Sequence, residues 1–254
     1  MQSTLLSWVI LACFITCLPA LGQTSASVTN ALPNSPAVPK RLSPEEIQVK
    51  IKELQQKAEK GDPAAQVQMG NLLGEGRLLP KNIIEATKWY RKSAEQGYAP
   101  GQFDLGIAYE HGEGVKTNYA SAIKWYAKAA KQGFPPAQYN LGLIYIKGGK
   151  VRKNITKGAK LVHQAALQND RLAQICLASL YLNGNGYKTN TIEACAWLGV
   201  VAKNEAFKND QRVQYNYTDI QFRMNPDQIA EANRKTESLV ADIEKNRKPV
   251  VSVK

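Results

Sequence analysis

The 254-residue chain has few of the side chains that most often carry chemistry. It holds two histidines, His111 and His163, and past an apolar leader only two cysteines, Cys176 and Cys195. Neither histidine has a cysteine or carboxylate at the i, i+4 spacing of a helical zinc site, so no metal is expected. There is no Gly-x-Ser-x-Gly motif and no phosphate-binding loop, which removes the usual starting points for nucleophilic catalysis and nucleotide binding. No cofactor is implied, and the chain reads as non-enzymatic. Acidic residues are also scarce: 21 Asp and Glu stand against 33 Lys and Arg, a formal net charge of +12. Such a balance favours association with polyanions and says nothing about fold.

Apolar runs that approach the thickness of a bilayer are missing too, apart from Leu5 to Leu21. That run carries no charge and ends at Pro19, Ala20, Leu21 and Gly22, where small residues suit a signal peptidase. Residues 1–22 therefore read as a cleaved export signal that removes Cys13 and Cys17. The alternative is a retained anchor, because no Lys or Arg precedes the run. Cleavage would leave no integral membrane span, and export ranks nucleic acid below other partners. Residues 23–42, rich in Ser, Asn, Ala and Pro, read as a disordered linker.

What the chain does have is a period of 36 residues. Residues 61–96, 97–132, 133–168 and 169–204 repeat one pattern, each unit holding two amphipathic helices. The first helix places Ala65, Met69 and Leu73 on one stripe, matched by Gly101, Leu105 and Tyr109, by Ala137, Leu141 and Tyr145, and by Ala173, Leu177 and Tyr181. Beside it run Gly70, Gly106, Gly142 and Ala178, a small position that fits a closely approaching partner helix. The second helix answers with Ala86, Trp89, Tyr90, Ser93 and Ala94, repeated as Ala122, Trp125, Tyr126, Ala129 and Ala130. Asn82, Asn118, Asn154 and Asn190 precede every second helix as caps. The units are antiparallel hairpins that bury their apolar faces only by stacking, an all-α solenoid.

The flanks close this array. Ser43, Pro44 and Glu46 form a capping-box pattern opening a helix over residues 43–60, an orphan second helix capping the N-terminal side. Residues 205–254 read as a connector, a capping helix over about 225–243 with Asn225 as cap and Pro226 first, and a tail. The repeats hold 18 basic and 9 acidic residues, the segment from Glu205 onward 9 and 8, so the excess charge belongs to the solenoid.

Leu105, Gly106, Tyr109, Gly112, Gly114, Val115, Ala122, Trp125, Tyr126, Ala129, Ala130 and Gly133 resemble the Sel-one-like repeat, a relative of the tetratricopeptide (TPR) repeat. The third unit departs most, with Lys150 in place of a loop glycine, Gly158 in place of Ala and Leu161-Val162 in place of Trp-Tyr. The resemblance implies a right-handed superhelical solenoid of TPR-like hairpins that binds another protein or peptide, often in the bacterial periplasm or outside the cell. It places binding on a concave face lined by first helices: Val67, Phe103, Ile107, Glu110, His111, Tyr139, Leu143, Ile146, Lys147 and Ile175. The row Val67, Phe103, Tyr139, Ile175 has an equally open alternative role, packing between adjacent first helices.

Lys147, Lys150, Arg152 and Lys153 form the densest basic stretch, a candidate anion contact whose alternative is a solvated turn. It motivates a second functional reading, binding of an envelope polyanion, glycan or peptidoglycan. Weak beta-lactamase-like hydrolysis, ascribed to disulfide-rich members of the family, is a distant part of that second reading, since the cysteines of those members recur in most repeats and only two remain here. Cys176 and Cys195 differ by about two residues counted outward from the loop, roughly 3 Å of helical rise. A disulfide across the fourth hairpin and two separate thiols both remain open.

Overall fold

The computed structural model describes residues 43–205 and 209–246, and every regular element among them is an α-helix. The expected signal segment, linker and tail end lie outside these residues. The first helix, α1 (Pro44–Glu59), opens with a reciprocal capping box: Glu46 N–H donates to Ser43 Oγ (3.2 Å) and Ser43 N–H to Glu46 Oε2 (2.7 Å). Four hairpins follow: α2 (Pro63–Glu75) with α3 (Ile83–Glu95), α4 (Ala99–His111) with α5 (Tyr119–Lys131), α6 (Pro135–Lys147) with α7 (Ile155–Leu167), and α8 (Arg171–Asn183) with α9 (Thr191–Lys203).

Each hairpin is closed by one asparagine used twice. The side chains of Asn82, Asn118, Asn154 and Asn190 accept from the N–H of the residue three places on, at 2.9–3.0 Å. Their own N–H groups donate back to the ends of the first helices, at Leu73, Tyr109, Tyr145 and Tyr181, over 2.8–3.0 Å. Inside the hairpin, the Tyr126 ring lies so close to Gly106 that an added Cβ would stand 2.7 Å from it. In the third hairpin Val162 takes that place against Gly142, again at 2.8 Å from an added Cβ. The side chain shrinks from Tyr to Val, and Gly158 faces the Gly142 carbonyl directly, so the helices close the space themselves.

Units are joined by a buried amide that the apolar pattern does not reveal. Gln66, Gln102, Gln138 and Gln174 are 2–5% exposed. Each donates to a carbonyl near the end of the preceding helix: Ala58 (3.0 Å), Ala94 (3.3 Å), Ala130 (3.4 Å) and Ala166 (3.2 Å). In the first three units its oxygen also accepts from the glutamine ending the hairpin's own second helix, Gln96, Gln132 or Gln168, at 2.8–2.9 Å. Three helix ends therefore meet at one side chain.

The expected connector after Glu205 contains a further helix, α10 (Gln211–Phe222), and α11 (Pro226–Asn246) follows it. Gln214 of α10 repeats the amide contact by donating to the Ala202 carbonyl at 3.1 Å. The outward side of α9 is covered by α11, where Thr236 is fully buried and donates to the Ala196 carbonyl at 3.1 Å. Consistent with that cover, α9 is buried from Ala194 to Ala202, with Trp197 at 1% exposure.

The Gln102→Leu substitution conserves volume but removes two buried hydrogen bonds, leaving the Ala94 carbonyl with only the Gly97 N–H and the Gln132 amide with only the Gly97 carbonyl. It should lower the unfolding free energy by about 2 kcal/mol. Gln164→Leu on the exposed side of α7 should change it by less than about 0.5 kcal/mol, and urea denaturation midpoints compare the two.

Candidate functional site

The first helices of units one and two, α2 and α4, pack directly on each other, whereas consecutive second helices are joined through the first helix between them. In these two units the first-helix side is therefore the more closely packed one. Of the residues expected there, Val67 is buried and Phe103 is half-buried. The Phe103 ring sits 5.7 Å from Tyr126 and 5.5 Å, edge-on, from Phe134, which opens the next unit. Tyr139 and Ile175 are half-buried against the core that the third and fourth units share with the C-terminal helices. This row fills seams between units.

Ile107 and Leu143 are half-buried, Lys147 and His111 exposed, and Ile146 presses towards Gly158 within its own hairpin. Glu110 accepts from the Tyr126 hydroxyl at 2.6 Å. One unit earlier, the Tyr90 hydroxyl donates to Asn71 Oδ1 at 2.9 Å. Burial makes ionisation of both tyrosines harder, and the nearby carboxyl of Asp104 adds to the effect. That carboxyl is itself pushed up to about 6 by desolvation. Asn71, Tyr90, Asp104 and Tyr126 were not among the expected site residues. The available signal was the equivalence of Gln68, Asp104, Asn140 and Cys176, a polar row one position beyond the aromatic one.

Lys150 occupies the position where Gly114 and Gly186 tuck against the preceding second helix, and its ammonium reaches back over the Tyr119 ring, 4.3 Å from the centroid. Arg152 and Lys153 are exposed.

The two cysteines are free thiols and do not form the candidate disulfide. They face different neighbours: Cys176 lies beside Tyr139 and Lys147 of α6, and Cys195 beside Tyr217 of α10. Burial pushes Cys176 up to about 12 and Cys195 up to about 11, so both are protonated and poorly nucleophilic.

His163 stands edge-on to Trp197 at 5.8 Å, and burial lowers its pKa. Among the described residues, no group of three His, Cys, Asp or Glu is placed to hold a metal. Ser121 and Lys124 have a Ser-x-x-Lys spacing at the start of α5, but no hydrogen bond joins them and Lys124 is exposed, so no activated nucleophile results.

The molecule is thus an α-solenoid of stacked helix hairpins with capping helices at both ends. The Sel1 repeat family model matches residues 63–98, 99–134, 135–170 and 171–199, more than half of the chain, and the protein belongs to that family. Sel1 repeat proteins generally act as protein-interaction scaffolds and are typically non-catalytic. Among solved structures, a Sel1 repeat protein from Oxalobacter formigenes is 26% identical with a TM-score of 0.58, over 78% of this chain and 83% of that one. A protective antigen with this fold from uropathogenic Escherichia coli is 26% identical with a TM-score of 0.45, over 78% and 51%. An immunity protein from Pseudomonas aeruginosa is 21% identical with a TM-score of 0.47, over 83% and 78%. No curated protein sequence matches the chain.

Because desolvation raises Asp104 above its unfolded value of 3.8, this group favours the folded state most when protonated, and that contribution is lost as pH rises through about 6. Asp104→Asn should therefore be more stable than the native chain by about 2 kcal/mol at pH 8. The difference should close as pH falls from 6 to 4, as read from paired urea titrations.

Proposed function

We propose that this protein is an exported, non-enzymatic scaffold of the bacterial periplasm or extracellular space that holds a protein or peptide along its first-helix face. The observation that carries the reading is how the side chains of that face are used. The Phe103 row and the glutamine amides join the units, which leaves the next row outward, with Ile107 and Leu143 only half-buried beside Asn71, Asp104 and Glu110, to meet a partner. Half-exposed aliphatic groups flanked by fixed hydrogen-bonding groups suit an extended or helical peptide, whose apolar side chains they can cover while its polar groups stay paired.

Export rests on the apolar Leu5–Leu21 segment and its small-residue end. Among the described residues, no helix is long and apolar enough to cross a membrane. The scaffold role, rather than catalysis, is supported by thiols that burial keeps protonated and by histidines in separate units.

The test is in-cell cross-linking with the full chain and with an Ile107→Ser, Leu143→Ser double variant whose helicity and denaturation midpoint are compared first. Partners captured by the native chain should fall at least about tenfold with the variant, because each lost side chain removes about 1–1.5 kcal/mol of partner burial. Undiminished capture of every partner by a folded variant would rule this face out.

A further inference from the structure

The solenoid separates its charges by face. In the first three units the second helices α3, α5 and α7 carry eight basic residues and two acidic ones, whereas the first helices α2, α4 and α6 carry one basic and three acidic. Lys88, Lys124 and Lys160 occupy the same position in successive units, and all three are exposed. Lys92 and Lys128 form a second row, and Lys131 extends the array at the end of α5. The two rows lie one helical turn apart on each helix and recur from one second helix to the next, so they form a two-dimensional field on the outer side.

Two of these cations, and two lysines beside the loop of the third hairpin, are held in place without being neutralised. Lys92 lies 4.0 Å above the Trp89 ring, Lys128 4.0 Å above Trp125 and Lys157 4.1 Å above Tyr145. Lys150 adds a fourth over Tyr119. Among the described residues, none of these four forms a salt bridge, and Glu85 pairs with Lys88 alone on this face. A ring fixes an ammonium group but leaves its charge available, so little side-chain entropy remains to be lost on meeting an anion.

We propose that this outer face of α3, α5 and α7 docks on the surface of a bilayer containing anionic lipid. Two features favour a bilayer over a soluble polyanion. The lysines are spread across three helices rather than along one groove, which fits an extended charged plane. Exposed apolar groups also stand at the loop end of the same helices: Ile84 is 62% exposed, Leu78 49% and Tyr119 39%. Basic residues around exposed apolar side chains are what an interfacial surface requires, the former meeting lipid phosphate and the latter entering the headgroup layer. The fourth unit ends the field: Ala196, at the ladder position, is buried, and α11 packs against α9. This docking leaves the first-helix face open and does not depend on the peptide-binding reading.

The test is co-sedimentation of the full chain with vesicles of phosphatidylcholine alone and of phosphatidylcholine with an equal amount of phosphatidylglycerol. Neutral vesicles register any contribution of the apolar leader. The anionic vesicles should bind at least about tenfold more tightly, since each lysine brought to such a surface adds roughly fivefold, and 0.5 M salt should erase the gain. A quadruple Lys124→Gln, Lys128→Gln, Lys131→Gln, Lys160→Gln variant should lose it, whereas Lys50→Gln, Lys57→Gln, Lys188→Gln, Lys245→Gln, with the same charge change outside these rows, should keep most of it; circular dichroism checks both folds. Equal binding to the two vesicle types, or equal loss in the two variants, would overturn the proposal. So would displacement from vesicles by inorganic polyphosphate at equal phosphate concentration, which would make the ligand a soluble polyanion.

Discussion

One buried glutamine per unit fixes how the hairpins stack. Apolar burial between helices is strong but tolerant of sliding, because one methyl group can replace another against a smooth surface. An amide buried among helix ends has no such freedom, since a small displacement strands both its donor and its acceptor away from water. Gln66, Gln102, Gln138 and Gln174 all reach a carbonyl eight residues back, and the first three accept from a glutamine thirty residues on. Those two separations must hold together in every unit. An insertion inside a hairpin would leave the carbonyl contact intact and break the other, so the amide ties the period of 36 to the register of the stack.

Given that register, local departures from the repeat are absorbed inside single hairpins. The third unit lacks the aromatic pair, yet Gly142 and Gly158 let α6 and α7 approach until Val162 fills the remaining space. Its loop lacks the glycine that lets Gly114 contact the Ile83 carbonyl of the preceding unit, and Lys150 spans the same seam through the Tyr119 ring. At the far end, α9 keeps only Lys203 in its last turn and is apolar from Ala194 to Ala202, because α10 and α11 cover it. The chain thus changes outer-face chemistry at the unit where stacking stops.

Much of this was legible in the sequence because repetition exposes position: the period, the two helices per unit and the tyrosine–glycine contacts recur at fixed offsets. The glutamines recur as faithfully but are polar, and a hydrophobic pattern assigns polar residues to the surface by default. Helix α10 escaped notice for a related reason, since it buries only Val213 and Ile220 among its twelve residues and has almost no apolar stripe. Phe103 and Tyr139 were legible as first-helix residues, but whether such a row fills a seam or a groove depends on the rotation between units, which no single unit encodes. The thiols of Cys176 and Cys195 satisfied the rise along the hairpin, but their directions, towards α6 and α10, are set by neighbouring units rather than by spacing.

The separation of charge between the faces is not something stacking requires. Solubility is served equally well by mixed signs, and a single-sign field on adjacent second helices adds repulsion over distances near the Debye length of about 8–10 Å. Packing constrains only the inner sides of these helices, where Ala, Ser, Trp and Tyr recur, and leaves the outer positions free to vary. That eight of the ten charged residues on α3, α5 and α7 are basic, in rows set by the repeat, therefore reflects something outside the fold. The first-helix side carries Glu75, Asp104 and Glu110 against Lys147, so the two faces suit different company. On the readings proposed above, a scaffold resting with its outer face on an anionic surface would present the other face away from it, and one array of hairpins would carry both contacts without either occluding the other.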